Sequence, residues 1–259
     1  MPVTSDYKSI LEMNKFIDLN CDMGEGLNND ALLMPLISSS NIACGFHAGD
    51  EETMKRTIEL ALNYQVAIGA HPGFNDKSNF GRNEISITLP YLFDLITEQI
   101  FILKKVAATF GTKLHHVKPH GALYNMAARD PRLARTIAAA VRSVDANFIL
   151  YGLSGSHLIT EAESINLKAA SETFADRTYQ EDGNLTSRSL PGAMIEKTED
   201  SLKQVLQMVK EKTVTTITGS NISIKADTIC LHGDGNHAVA FASEIRKKLI
   251  ENQITIQTI

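Results

Sequence analysis

Short apolar runs, each followed by a turn rich in glycine, aspartate or histidine, recur along the whole 259-residue chain. Runs of this length, bounded by turn residues, are typical of short buried β-strands. About seven of them can be recognised from the pattern. They cover residues 16–20, 41–46, 66–69, 115–118, 148–153, 167–170 and 228–232.

Amphipathic helical patterns lie between the strand-like runs. Asp50 is a suitable helix N-cap, and apolar residues then recur every four positions over 54–62. Asp130 followed by Pro131 predicts the start of another helix, because proline is favoured at the first helical position. Further helices are predicted over about 90–103, 202–209 and 238–250.

Strands that alternate with helices predict a parallel sheet, because a parallel neighbour is reached through a helical crossover. The units are spread evenly, and no linker rich in Pro, Gly or Ser separates them. Residues 1–259 are therefore predicted to form a single α/β domain. A closed or nearly closed β/α barrel suits this length, and a doubly wound open sheet is the alternative.

Composition narrows the classes of partner. The net charge is −5 and the basic residues are scattered, so no nucleic-acid partner is expected. No apolar run is long enough to span a membrane, and the N-terminal residues do not resemble an export signal. The three cysteines show no paired spacing, which predicts reduced thiols and a cytoplasmic location.

Nearly all candidate reactive residues directly follow the strand-like runs. The carboxyl ends of parallel strands open on one face, so we expect residues distant in sequence to converge there. Catalytic roles are predicted for Asp22, His47, His71, Lys118 and His120. Substrate-binding roles are predicted for Asn20, Glu25, Asn41, Glu172, Asp176, Arg177, His232 and Asp234.

Each candidate also has a structural alternative. A single acidic residue after a strand is often a helix cap, and Asp50 is predicted to be only that. Arg177 could form a structural ion pair with Glu172 or Asp176, although arginine also suits a substrate carboxylate. Cys44 is predicted to be a buried core thiol rather than a nucleophile.

A divalent metal is possible at this face. Asp22, His47 and His71 could supply the oxygen and nitrogen ligands of a catalytic site with an open position. The HExxH motif is absent and the three residues come from separate turns, so the pattern alone leaves the metal open. The sequence contains neither a GxxxxGK[ST] loop nor a GxGxxG turn after a strand. If ATP is used, this chain does not bind it in a P-loop.

Taken together, the turn sequences resemble a known family. They are DLNCDMGEG, NIACGFHAGD, GAHPGF, VKPHGALYN, ETFADRTY and CLHGDGNHAV, in this order between Asp18 and Val239. This set is similar to the LamB/YcsF family over nearly the whole chain. The departures, Asn28, Glu51 and Asn83, flank the polar turns and cast little doubt on the activity.

The resemblance implies a distorted seven-stranded barrel of the type found in sugar deacetylases. It also implies ATP-dependent 5-oxoprolinase activity, in which this family provides the A subunit, which works with separate subunits B and C. Such a complex opens 5-oxoproline (pyroglutamate) to L-glutamate while ATP is hydrolysed to ADP and phosphate.

Opening a lactam requires a base, cationic groups and hydrogen-bond donors for the developing oxyanion. We assign Asp22 or His47 as the base and His71 and His120 as proton carriers. Lys118 and Arg177 are assigned to a phosphate or to the substrate carboxylate. Two alternatives are a metal-dependent deacetylase or amidase acting on an acetamido substrate, and a non-catalytic lactam-binding subunit.

Overall fold

A computed structural model describes residues 15–231 and 238–259. Ten strands lie in these residues. They are β1 (Lys15–Met23), β2 (Ser39–Ala43), β3 (Ala67–His71), β4 (His116–Val117), β5 (Ile149–Leu153), β6 (Lys168–Phe174), β7 (Thr213–Thr215), β8 (Asn221–Ser223), β9 (Thr228–Leu231) and β10 (Ile254–Ile256).

Seven of the strands form a closed parallel barrel in the order β1, β2, β3, β4, β5, β6 and β9. The barrel closes where β9 pairs with β1, from Asp18 opposite Thr228 to Cys21 opposite Leu231. Closure removes the open edges that a doubly wound sheet would have. The predicted seven-stranded β/α barrel is therefore confirmed, and the open sheet is not formed.

Three short strands outside the barrel were not predicted. β7 and β8 form a small antiparallel hairpin, and β10 pairs in parallel with the start of β1. Each pairs through only a few residues, which is too short for a hydropathy pattern to be recognised. β4 is also shorter than predicted, although Lys118 N still donates to Ala70 O on β3 at 2.9 Å.

Eight α-helices lie in the described ranges. They are α1 (Asp30–Leu33), α2 (Glu51–Asn63), α3 (Leu89–Thr109), α4 (Gly121–Arg129), α5 (Pro131–Val144), α6 (His157–Ser164), α7 (Thr198–Glu211) and α8 (Ala238–Glu251). None of these helices combines the length and the apolar character that crossing a membrane requires.

Two helix starts follow the predicted capping chemistry. Thr53 N donates to Asp50 Oδ1 at 2.8 Å, and Arg132 N donates to Asp130 Oδ1 at 2.8 Å. Pro131 occupies the first turn of α5. These contacts satisfy backbone N–H groups that have no partner within the helix. Helices α4 and α6 were not predicted, because each is short and follows a polar turn without a clear cap.

The lower end of the barrel interior is polar and centres on Asp18, which is fully buried. Its Oδ1 accepts from the hydroxyls of Ser38 and Ser39 at 2.6 and 2.7 Å. Its Oδ2 accepts from Thr228 at 2.6 Å and from Tyr151 at 3.1 Å. Burial nevertheless raises the pKa of Asp18 above 3.8, because these donors only partly offset the loss of solvent. The Asp18 side chain thus connects β1 to three other parts of the barrel wall, at Ser38 and Ser39, at Tyr151 and at Thr228.

Replacing Asp18 by Asn is expected to destabilise the fold by about 1–3 kcal/mol, because the amide cannot accept from all four hydroxyls. The cost should also depend on pH. A raised pKa in the folded state stabilises wild type fully below about pH 3.8, and this contribution is lost as pH rises through the folded pKa. Urea unfolding of wild type and D18N should therefore show a larger difference at about pH 3.5 than at pH 8. An equal difference at both values would contradict this account.

Candidate active site

The carboxyl ends of the barrel strands surround one cleft of about 460 Å³. Six of the predicted residues line it: Asp22, Glu25, His71, Lys118, His120 and Arg177. They come from the ends of β1 and β3 and from the turns after β1, β4 and β6, so closure of the barrel brings distant parts of the sequence together. The polar turns that these six residues represent therefore lie close together, as we expected from the sequence.

Three imidazoles and one carboxylate form a compact cluster at one end of this region. One ligand atom from each of Glu25, His47, His71 and His120 lies within 4.8 Å of the others. Glu25 Oε1 lies 3.2 Å from His47 Nε2, 3.2 Å from His120 Nδ1 and 3.8 Å from His71 Nε2. Asp22 Oδ2 lies 3.3 Å from His71 Nε2. We call Glu25, His47, His71 and His120 the His/Glu cluster.

Backbone carbonyls fix the protons of two of the histidines. His71 Nδ1 contacts Lys118 O at 2.7 Å, and His120 Nε2 contacts Phe80 O at 2.9 Å. A carbonyl oxygen only accepts, so both of these nitrogens carry hydrogen. His71 Nε2 and His120 Nδ1 are then unprotonated in the neutral rings, and they face each other at 2.9 Å. Two lone pairs at this distance require a cation between or beside them, either a proton or a metal ion.

His47 completes the cluster from the turn after β2. Its ring stacks on His120 with centroids 3.7 Å apart, and it is almost fully buried. Burial, together with the neighbouring His120 and His71 rings, lowers the pKa of His47 to about 4, against the opposing contact with Glu25. His47 Nδ1 has no hydrogen-bond partner among the described residues. His47 is therefore neutral at physiological pH and suited to act as a ligand.

Glu25 carries the negative charge of the cluster. Burial by itself raises the pKa of Glu25, but the contacts with His120 and His47 outweigh it and lower the pKa to about 2. Asp22 provides a second carboxylate beside His71. The combination of two carboxylates with three imidazoles attracts positive charge strongly in a buried environment.

Two glycines create the space for the histidine rings. A Cβ atom at Gly73 would lie 2.8 Å from His47 Nδ1, and one at Gly81 would lie 2.9 Å from His47 Cβ. Gly81 also has a φ of +61°, which other residues rarely adopt. Gly73 belongs to the GAHPGF turn sequence, and Gly81 lies between Phe80 and Arg82. Both glycines are required by close packing against the cluster.

Lys118 lies between two carboxylates beside the cluster. Its Nζ is 3.0 Å from Asp22 Oδ1 and 2.8 Å from Glu172 Oε1, and it also contacts Asn20 Oδ1 at 3.3 Å. Burial lowers the pKa of Lys118, but the charges of Asp22 and Glu172 hold it well above its ordinary value. Lys118 is therefore a permanent cation, and it cannot act as a general base.

Asn20, Asn41 and Glu172 are fully buried and do not line the cleft. Asn41 Nδ2 donates to Asn20 Oδ1 and to Asp22 Oδ1, both at 2.8 Å. Asn41 thus supports the Asp22 carboxylate directly and Asn20 supports Asn41, from positions that do not line the cleft where substrate contact was predicted for them. Asp176 is also absent from the residues that line the cleft. His232 and Asp234 lie outside the described residues.

Arg177 also lines the cleft. It is buried, its Nη2 donates to Thr186 O at 2.6 Å, and its Nε has no hydrogen-bond partner among the described residues. Burial and the nearby Arg188 lower its pKa from the ordinary value. Arg82, Arg129 and Arg188 also line the cleft. These three arginines were not predicted as site residues, because they lie in loops or a helix and do not directly follow a strand.

A closed parallel barrel with a polar cleft at the carboxyl ends of its strands defines the class of β/α-barrel enzymes, which carry their active sites at this face. The LamB/YcsF family profile matches residues 17–259. The chain belongs to the LamB/YcsF family, as its turn sequences indicated.

Relatives and solved structures agree with this assignment. The chain is 51% identical over 246 residues to a protein of Tolumonas auensis named as the A subunit of 5-oxoprolinase, covering 93% of this chain and 98% of that one. A crystal structure of a lactam utilization protein from Thermus thermophilus superposes with a TM-score of 0.90 at 36% identity, covering 94% of this chain and 100% of the other. The T48 deacetylase, at 14% identity, covers 95% of this chain and 89% of its own with a TM-score of 0.50, and shares only the fold.

Replacing Lys118 by Met should destabilise the fold by about 3–5 kcal/mol, because Asp22 and Glu172 would remain buried without their cation. Adding E172Q to K118M should recover part of this loss. Guanidinium unfolding followed by circular dichroism measures both effects. K55M is a matched control, since Lys55 pairs with Glu51 on the exposed face of α2 and its removal should leave the free energy of unfolding nearly unchanged. A K118M variant as stable as K55M would refute the buried ion-pair assignment.

Proposed function

We propose that this chain is the A subunit of an ATP-dependent 5-oxoprolinase and carries the site that opens 5-oxo-L-proline to L-glutamate. One observation supports this most strongly. A single cleft is lined by Asp22, by three members of the His/Glu cluster and by the buried Arg177. The similarity to a relative named as the A subunit of 5-oxoprolinase supports the same assignment.

The residues that line the cleft include a group suited to each polar part of the substrate. 5-Oxoproline has a carboxylate on one side of its ring and the lactam carbonyl on the other. Arg177 is proposed to bind the carboxylate, because its buried guanidinium has a donor, Nε, without a partner in the described chain. The lactam carbonyl would then lie toward Asp22 and the His/Glu cluster.

Asp22 is proposed as the general base. It lines the cleft, whereas His47 is buried and does not. Asn41 and Lys118 both contact Asp22 Oδ1, and Oδ2 lies on the side of His71. Asp22 can therefore orient a water molecule and accept its proton through Oδ2. Lys118 places a positive charge 3.0 Å from Asp22 Oδ1.

The His/Glu cluster is proposed to hold a divalent metal ion. Three imidazole nitrogens with one carboxylate oxygen suit zinc or a similar ion, and the carbonyl contacts of His71 and His120 orient those rings as in known metal sites. A bound ion would polarise the carbonyl and lower the pKa of a water molecule. In this arrangement His71 and His120 act as ligands, which replaces their assignment as proton carriers. Glu25 and His120 take the place of Asp22 in the ligand set predicted from sequence.

ATP coupling is proposed to depend on separate subunits B and C. Transfer of the γ-phosphoryl group to the lactam oxygen would release ADP and give an imidate-like species. Attack of water at the same carbon and cleavage of the C–N bond would then free the amine and leave an acyl phosphate. A second water molecule would hydrolyse this acyl phosphate to glutamate and phosphate. In this scheme ATP is a co-substrate of the complex. This chain has no P-loop sequence in which to bind it. A cytoplasmic location is proposed as well, in keeping with the free, buried cysteines.

Replacing Asp22 by Asn should lower kcat by about 100- to 10,000-fold, because the base would be lost while its size and hydrogen bonds are largely kept. The assay is ATP-dependent release of glutamate from 5-oxoproline by the chain together with subunits B and C. R132M is the control, because Arg132 pairs with Asp130 on the surface. Wild type with its partners should be active, and the chain alone should not. An inactive wild-type complex, or an active D22N complex, would refute the proposal.

Metal binding is tested by calorimetry with Zn²⁺ or Mn²⁺ and by elemental analysis of the purified chain. We expect one bound ion, and H120A should weaken binding beyond the about 10- to 100-fold typical of losing an outer hydrogen-bond partner. H157A is the control, because His157 is exposed at the start of α6. Binding that is equally strong in H120A would show that the ion does not bind at the His/Glu cluster, and the absence of a bound ion in wild type would show that the cluster holds only a proton.

A metal-dependent deacetylase or amidase is the second candidate, favoured by the His/Glu cluster within this type of barrel. It predicts release of acetate from an acetamido sugar by the metal-loaded chain without ATP or partners. A non-catalytic lactam-binding subunit is less well supported, because binding pockets contain few titratable groups. It predicts 5-oxoproline binding that is unaffected by D22N, together with full turnover in the D22N complex.

A further inference from the structure

Four residues in register, one of them Asp22, form a row across neighbouring strands of the barrel. Asp22 on β1 is in register with Asn41 on β2, and Asn41 is in register with Gly69 on β3. Gly69 is in turn in register with His116 on β4. The four residues therefore lie at one level of the barrel, on four neighbouring strands. No role was predicted from the sequence for Gly69 or His116.

Gly69 allows the His116 ring to reach Asn41. A Cβ atom at Gly69 would lie 2.1 Å from His116 Nε2 and 2.3 Å from Cδ2, so any other residue would collide with the ring. The φ of Gly69 is not in the left-handed region, so free space is the reason for glycine here. The ring of His116, which is on β4, extends across Gly69 on β3. His116 Nε2 thereby lies 2.8 Å from Oδ1 of Asn41 on β2.

The direction of each hydrogen bond in this row is determined. The Asp22 carboxylate only accepts, so Asn41 must present its NH₂ group to it. Asn41 Oδ1 is then the acceptor that faces His116, and His116 Nε2 must carry the hydrogen. His116 is fully buried and its ring stacks on Tyr151 with centroids 4.2 Å apart. One tautomer of His116 thus fixes one orientation of the Asn41 amide.

We propose that His116, placed over Gly69, is a positioning residue that orients the Asp22 carboxylate through Asn41. His116 does not line the cleft, so it acts without touching substrate. Asn41 Nδ2 and Lys118 Nζ together occupy Asp22 Oδ1, and this turns Oδ2 toward His71. If the Asn41 amide were free to flip, its oxygen would face Asp22 and repel the carboxylate. This inference rests on the proposed role of Asp22 as the base.

Two polar variants separate positioning from simple packing. In H116Q the terminal amide can place an N–H close to the position of His116 Nε2, whereas H116N is shorter and cannot reach Asn41. Both variants keep an amide in the interior, so both test the hydrogen bond at similar polarity. Y151F is the control, because it keeps the aromatic ring that stacks on His116 and removes only the hydroxyl that contacts Asp18.

The first readout is steady-state kinetics of the complex with subunits B and C. H116N should lower kcat by about 10- to 100-fold with KM within about twofold, the size typical of losing an outer hydrogen-bond partner of a catalytic group. H116Q should recover most of kcat, and Y151F should have wild-type kcat. Equal loss of kcat in H116N and H116Q, or equal loss in Y151F, would show that His116 only fills the core.

The second readout does not depend on activity. Crystal structures should show the Asp22 carboxylate rotated in H116N and unchanged in H116Q and Y151F. An unmoved Asp22 in H116N would overturn the inference even if the complex opens the lactam. If the wild-type complex does not open the lactam, the proposed function fails, and the position of Asp22 in these crystals still decides the role of His116.

Discussion

The contact between His71 Nε2 and His120 Nδ1 governs the chemistry of this protein. The other nitrogen of each ring donates to a backbone carbonyl, so the facing nitrogens cannot both be neutral and satisfied. The conflict is resolved by positive charge, which Glu25 and Asp22 attract from either side. A fold that holds these rings in place maintains a site that is ready for a cation.

The barrel provides the rigidity that such a site needs. Its closed, parallel strands leave no open edge, and their carboxyl ends bring turns from distant parts of the sequence to one cleft. Below that cleft, polar side chains fill the interior in two levels. The upper level links His116 and Asn41 to Asp22, and the lower level gathers four hydroxyls around Asp18. Buried polar groups that are fully hydrogen-bonded permit few alternative arrangements.

Much of the fold was predictable because its signals are local. The N-caps at Asp50 and Asp130 depend on residues only a few positions away, and the alternation of strands and helices follows from hydropathy. The β7–β8 hairpin escaped prediction because tertiary packing, rather than a local pattern, produces such short pairings. β4 was predicted over 115–118, but only two of these residues form the strand.

Membership of the site was easier to predict than the arrangement within it. Strand-end position identified Asp22, His47, His71, Lys118 and His120 as a group, and all five are brought together. The sequence could not show that Asn20 and Asn41 support the site from inside the barrel, because register across strands decides which side chains meet. No role was assigned from the sequence to Arg82, Arg129 and Arg188, which line the cleft but do not directly follow a strand.

The account depends on what lies between the facing imidazoles. Anomalous diffraction from crystals grown with Zn²⁺ or Mn²⁺, recorded on both sides of the absorption edge of the metal, locates such an ion directly. The account predicts one strong peak in contact with Glu25, His47, His71 and His120, next to Asp22 Oδ2. A fully metal-exposed crystal without a peak in the His/Glu cluster would contradict it.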